Sequence, residues 1–389
     1  MKALGRAHEL TPGDWGCLYI TGDVLRQVGR FENAIDYFNQ VLGNRPEEMG
    51  VLLALSQTHL DLGREQRRSG YSGRAEASFA DCISVATQAI ERSSGFRSMA
   101  WKLAGDALHE LSRARLFVDP TTIAATFLTL GSNMADQSIL EGYTPTTTPD
   151  EKSNTPNFIP LTVGAMLSQL QGGEADGLTA AVLAIAVYNR RAAILEKDEK
   201  ATPSAVFDVA TALMQLALTT GNVIEELCHK KAITLIKQAL YLEPGNGAFW
   251  TALGVLTFQS DAKLSQHAFI RAVEQDSKVG NPHNPRLYTS DTNISQPQSS
   301  AAWTNLGLLY MQHDDRELAN HAFYRAQTLN PDYDMAWVGQ GLLAAANGHM
   351  DDARALFQHA VGLSAETVCY FVLTSLSGLS YYFCSPPQT

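Results

Sequence analysis

Between Ala301 and Leu363 the apolar residues of this chain follow two nested periods. Trp303, Leu306, Gly307 and Tyr310 stand three or four residues apart, and so do Ala319, Phe323 and Ala326. Each set falls on one face of an α-helix and leaves polar residues on the other. The polar run His313-Asp314-Asp315-Arg316 divides the two sets and predicts a tight turn, and Pro331 stops the second helix. The whole pattern returns 34 residues on, with Trp337, Gly341, Ala353, Phe357 and Ala360 in place of Trp303, Gly307, Ala319, Phe323 and Ala326.

A helix–turn–helix unit of this length with these residues is the tetratricopeptide signature. The small residues let two helices approach, and the aromatic fills the space between units. The predicted fold is therefore all-α, a tetratricopeptide helical-hairpin solenoid in a right-handed superhelix, interrupted by irregular inserts. Weaker copies lie upstream. A first unit spans 14–46, with Leu18, Gly22 and Leu25 on one helix, Gly29 at the turn, and Ala34, Phe38 and Val41 on the next. A second opens near Met49 with Leu52, Leu55, His59 and Gly63, but Ala75, Phe79 and Cys82 arrive about seven residues late. Residues 64–73 are thus a longer loop between helices or an extension of one.

A third unit opens with Trp101 and Gly105 and then loses the pattern until a strong helix at 180–196. A fourth, near 204–244, carries Phe207, Ala210, Thr211 and Met214, then Ala232, Ile236 and Ala239. A fifth carries Trp250, Leu253 and Gly254, then Ala268, Phe269 and Ala272. The chain divides into repeats at 1–111, an irregular helical stretch at 112–203 with a loop insert near 144–160, repeats at 204–365 with a loop insert at 279–299, and an atypical apolar tail at 366–389. The Trp, Gly, Ala and Phe residues at these spacings are expected to be packing residues.

Charge and composition narrow the function. Forty acidic against 29 basic residues leave a net charge of −11, which repels phosphate backbones and argues against direct nucleic-acid binding. The cysteines Cys17, Cys82, Cys228, Cys369 and Cys384 show no metal-ligand spacing and fit a reducing compartment. The N-terminus has no long apolar core of the kind a signal peptide needs. The uncharged stretch 368–384 is at the lower margin of a membrane span and is diluted by Ser, Thr and Gly. It reads as an incomplete repeat or a tail foreign to the solenoid, and no membrane association is expected.

No nucleotide-binding glycine loop, zinc-protease motif or nucleophile elbow occurs. His267 and His321 occupy equivalent slots on two second helices, which points to a shared structural or surface role. Asp314, Asp315 and Glu317, and Asp351 and Asp352 one unit later, suit helix starts. The chain is therefore expected to be no enzyme, with neither cofactor nor metal.

The first helices of such units usually line a binding surface. The slots on that face hold Tyr19 and Asp23 in the first unit, and Thr304, Leu308, Val338 and Leu342 in the last two. Asn305 alone suits a clamp on a C-terminal carboxylate, and no basic residue accompanies it in the next unit. The candidate partner contacts are Asn305, Leu308, Met311, Gln312 and Leu342. The competing reading, of equal weight, is that a neighbouring turn of the same superhelix covers them.

The run Ala302-Trp303-Thr304-Asn305-Leu306-Gly307-Leu308-Leu309-Tyr310 resembles the large tetratricopeptide subunit of the superkiller complex. So do Ala322-Phe323-Tyr324-Arg325-Ala326-Gln327, Trp337-Val338-Gly339-Gln340-Gly341 and Trp101-Lys102-Leu103-Ala104-Gly105-Asp106. The resemblance is to a central-to-C-terminal portion of those much longer subunits and extends to about Ser364. It implies a non-catalytic scaffold in the cytoplasm, with the nucleus the other compartment that the cysteine pattern allows. That scaffold holds a DExH-box RNA helicase and WD40 propeller subunits, and serves 3′-to-5′ mRNA decay by the RNA exosome. The alternatives are a generic repeat adaptor for chaperones or transport, and the regulatory repeat region of a truncated enzyme.

Overall fold

The computed structural model describes residues 14–92, 97–134, 162–171, 173, 175–196, 198, 200–220, 223–279 and 298–363. The expected insert at 144–160 and the apolar tail lie outside them. So does the expected insert at 279–299, except at its helical edges. The described residues are helical apart from turns, loops and one isolated antiparallel bridge between Leu116 and Asp176. They fall into two compact units, one of residues 1–67 and 71–235, the other of 68–70 and 236–389.

The first unit begins with the hairpin α1 (Trp15–Gln27) and α2 (Phe31–Asn44). Asp14 caps α1 by accepting a hydrogen bond from the Cys17 amide, and Gly29 turns the chain at φ 80°, where a side chain would be strained. The ring of Phe38 fills the space over Gly22, and a Cβ there would stand 2.8 Å from it. Val51 and Leu55 complete that core from the next hairpin.

That hairpin pairs α3 (Met49–Arg68) with α4 (Ser72–Arg92). α3 continues as helix through residues 64–68, so the late arrival of Phe79 comes from longer helices rather than from a long loop. Gly63 and Phe79 meet as Gly22 and Phe38 do, with Phe79 fully buried. Gly70, at φ 82°, makes the turn.

The third hairpin is split. Its first helix, α5 (Arg97–Leu111), packs on α4 and pairs with α8 (Gly177–Leu195). Two helices, α6 (Pro120–Gly131) and α7 (Val163–Leu170), lie between them in sequence. Gly105 faces the ring of Tyr188, and a Cβ at 105 would stand 2.5 Å from it. Tyr188 thus takes the slot that Phe38 and Phe79 fill in the first two hairpins. Its hydroxyl, buried, donates to Asp106 Oδ1 at 2.7 Å. The chain enters α8 through a reciprocal cap between Asp176 and Thr179. Gly177 sits against the Ala114 carbonyl, where a Cβ would come to 1.8 Å.

α8 is long and apolar enough by composition to cross a membrane. Its Ala, Val, Leu and Ile residues from 180 to 187 are nearly all inaccessible, and α5 and α9 (Thr202–Thr220) both pack on it. An apolar surface on every side is what a helix at the centre of a fold requires. Residues 180–196 are therefore the displaced second helix of the third repeat.

α10 (Val223–Leu242) contains the division between the units. The second unit then holds three hairpins in register: α11 (Gly247–Thr257) with α12 (Ala262–Val279), α13 (Gln298–Gln312) with α14 (Arg316–Leu329), and α15 (Asp334–Ala346) with α16 (Met350–Leu363). Gly254 seats Phe269, Gly307 seats Phe323 and Gly341 seats Phe357. Phe323 is also covered from the next hairpin by Gly339 and Leu343. Ala319, Ala326, Ala353 and Ala360 are buried at the helix crossings. Asp314 makes the α13–α14 turn at φ 58°, in the place Gly348 takes one hairpin later.

Candidate protein-binding surface

The face made by successive first helices is chemically different in the two units. In the first, each first helix offers a base to an acid on the next. Arg26 of α1 reaches Asp61 of α3 at 3.2 Å, Arg64 of α3 reaches Glu110 of α5 at 3.0 Å, and Lys102 of α5 reaches Asp208 of α9 at 3.4 Å. Arg191 of α8 also binds Asp208. Burial alone would raise the Glu110 carboxyl. Arg113, Arg64 and Arg67 around it bring it below the usual carboxylate range. The same helix buries His109, whose Nδ1 finds no hydrogen-bond partner. Burial first, and Arg113 next, push it down to about 4. These charges are committed to one another, so the surface is pinned rather than free to grip an ionic partner.

In the second unit the corresponding face is neutral. Asn305, Leu308, Met311 and Leu342 are half-buried and Gln312 is exposed. Leu308 and Met311 pack against the Ala319, Phe323 and Leu343 cluster, so part of each belongs to the wall of the unit. The Gln312 amide donates to Gln259, in the turn after α11, at 3.3 Å. Thr304 and Val338, on the same helices, are buried. What stays accessible is a strip of amides and aliphatic side chains, suited to a partner's apolar side chains and backbone. Among the described residues no group of three or more His, Cys, Asp or Glu could hold a metal ion.

The tryptophans of this unit take a second role. Trp250 and Trp303 are half-buried and meet His267 and His321 edge-on, with ring centroids 6.1 and 6.2 Å apart. Trp337 meets His359 in the same manner at 4.4 Å. The indole N–H of Trp250 donates to the Pro244 carbonyl at 2.9 Å, and that of Trp337 to Pro331 at 2.7 Å. Pro244 and Pro331, which end α10 and α14, thus also fix the next first helix. In the first unit Trp101 is buried outright.

Sequence reading missed Tyr188 and the ion pairs between first helices. Ala184 and Tyr188 stand four residues apart, as Ala34 and Phe38 do, and that spacing marks the second helix. The ion pairs join residues 35, 46 and 106 positions apart, and no periodic pattern signals them.

The family model described as Tetratricopeptide repeat matches residues 3–67 and 296–366. Tetratricopeptide repeat protein 37 of Xenopus laevis is 26% identical over 390 residues, covering 97% of this chain and 21% of that protein. Superkiller complex protein 3 of Mus musculus is 24% identical over 399 residues, covering all of this chain and 21% of that protein. The chain thus spans about a fifth of the length of the curated relatives it matches. Among solved structures, that of MamA is similar at 19% identity and a TM-score of 0.31, covering 46% of this chain and 86% of that one. The repeats are of the tetratricopeptide type, and the chain carries no catalytic motif.

Proposed function

We propose that this chain is a segment of a superkiller-type scaffold, a non-catalytic helical surface that holds other proteins for mRNA decay. The observation that supports the reading most is the extent of the similarity. It runs through the whole chain, the split third repeat included, and not only through the generic repeats at either end. The partners it implies are a DExH-box helicase and WD40 propeller subunits, with the RNA exosome reached through them, in the cytoplasm. The neutral strip at Asn305, Leu308, Met311, Gln312 and Leu342 is the proposed contact surface in the second unit. RNA passes to those partners, because a chain of net charge −11 gains little from phosphate contacts.

The test is purification of the tagged chain from cytosolic extract, followed by mixing with purified helicase and propeller subunits on a sizing column. A ternary complex supports the reading, and substituting Leu308→Asp together with Leu342→Asp should weaken it. Recovery of chaperones or transport factors, with no complex formed from purified subunits, would overturn it.

A further inference from the structure

The loop that leaves α5 holds two large apolar side chains out in solvent. From Leu116 to Val118 the side chains alternate, as in a strand. Phe117 turns inward, only 8% exposed, and meets Phe127 of α6 edge-on with ring centroids 6.4 Å apart. Leu116 and Val118 turn outward and are 84% and 75% exposed. Both are fixed through their backbone. Leu116 forms the isolated bridge with Asp176, and the Val118 amide donates to Oε2 of the buried Glu76 on α4 at 2.8 Å. Val118 also rests on Gly73 at the start of α4, with its Cγ2 3.4 Å from where a Cβ would stand. Two residues before Gly73 is Tyr71, 57% exposed, with the Arg74 guanidinium 5.3 Å from its ring centre. The loop and the start of α4 thus hold Tyr71, Leu116 and Val118 outward on a pinned backbone, which lowers the ordering cost of binding to them.

The charge around them is one-sided. Arg64, Arg67 and Arg113 share the single buried carboxylate of Glu110, at 3.0, 3.1 and 3.4 Å, so the positive charge there is in surplus. Arg113 keeps 47% of its side chain exposed. Arg74 and Arg115 are exposed, and among the described residues neither has a carboxylate partner. The neighbouring carboxylates are taken up. Glu76 holds the Val118 amide, and Asp119 accepts from the Thr121 and Thr122 hydroxyls and the Thr122 amide at the start of α6. Apolar side chains rimmed by unmatched arginines are complementary to carboxylates set among aliphatic side chains. RNA would supply phosphates, but Leu116 and Val118 give bases nothing to stack on, and Arg74 lies over the Tyr71 ring. We propose that the patch of Tyr71, Arg74, Arg113, Arg115, Leu116 and Val118 docks an acidic segment of a partner protein, one with aliphatic side chains among its carboxylates. Its ligand chemistry differs from that of the neutral strip at Leu308 and Leu342.

The test titrates the full chain, by fluorescence anisotropy, against a labelled synthetic peptide in which leucine alternates with glutamate. A peptide with lysine in place of glutamate and a labelled polyuridine RNA are the comparisons. The acidic peptide alone is expected to bind, and more weakly as salt rises. Arg74→Glu with Arg115→Glu is expected to weaken it about tenfold or more, and Leu116→Ser with Val118→Ser about as much. Arg115→Gln, which removes one charge, should show a smaller loss. Arg354→Glu, exposed on α16 in the second unit, should leave binding unchanged. All of these side chains are exposed, so the variants are expected to melt with the unaltered protein. No binding of the acidic peptide, binding that neither double substitution weakens, or an equal loss in Arg354→Glu would overturn the proposal. So would tighter binding of the RNA, which assigns the patch to nucleic acid, or self-association that Arg74→Glu with Arg115→Glu abolishes, which assigns it to a second copy. The probe contains no part of a helicase or propeller subunit, so its result is separate from that of the sizing-column experiment.

Discussion

At the scale of single residues, the contact between a first-helix glycine and a second-helix ring decides what the chain tolerates. A Cβ on Gly254 would stand 2.4 Å from the buried Phe269 ring. Gly254→Ala is therefore expected to cost about 1–3 kcal/mol by overpacking, measured by urea unfolding. Gly43, inside α2, has nothing within 4 Å of its would-be Cβ, and Gly43→Ala is expected to stabilise by about 0.5–1 kcal/mol. His109 makes a second residue-scale prediction. Its folded value of about 4 lies below the ordinary 6.5, so between the two the unfolded chain binds more protons. Stability is therefore full above 6.5 and falls as pH drops towards 4, with a loss of about 2 kcal/mol from this group at pH 5. The difference in unfolding free energy between pH 7 and pH 5 should shrink by that amount in His109→Gln.

Between elements, the strongest lateral tie in the first unit is Glu110, which draws Arg64 and Arg67 of α3 onto α5. Glu110→Gln removes the carboxylate that faces the buried Arg67 and the half-exposed Arg64 and is expected to cost about 3 kcal/mol, read by denaturant titration of the full chain. Glu110→Met with Arg67→Met should recover most of that loss. The helices of the repeats were legible in the sequence because they follow from residues three and four apart, whereas α6 and α7, inside the irregular stretch, were not. The pairing of α5 with α8 was not, because it joins positions separated by two other helices, and the chemistry that betrays it, a Tyr in the aromatic slot, departs from the repeat's own pattern. The candidate face of the second unit was legible only as a set of slots. Which of those side chains are taken up by packing, as Leu308 and Met311 partly are, depends on the neighbouring hairpin and not on the local sequence.

For the molecule as a whole, the thiols report integrity of the first unit. Cys17 is half-exposed, while Cys82 and Cys228 are buried. Burial pushes Cys82 up to about 12 and Cys228 up to about 11, although the Ser56 hydroxyl beside Cys82 opposes the rise. Iodoacetamide at neutral pH should label Cys17 in the native protein and reach Cys82 and Cys228 only as the unit opens, followed by peptide mass spectrometry. A filter-binding assay with labelled single-stranded RNA at physiological salt is expected to retain none on this chain, and retention would place RNA on the scaffold itself.

The split third repeat sets a timetable for synthesis. Sixty-five residues separate Leu111 from Gly177. At roughly 5–20 residues per second, α8 leaves the ribosome several seconds after α5. Closing the chain between Gly105 and Tyr188, against the 16-residue spacing of Gly22 and Phe38, adds about 1.5 kcal/mol of loop entropy to the step. During that interval the earlier hairpins can fold and the apolar side of α5 that awaits α8 stays open, so nascent-chain chaperones would find their foothold at this point of translation.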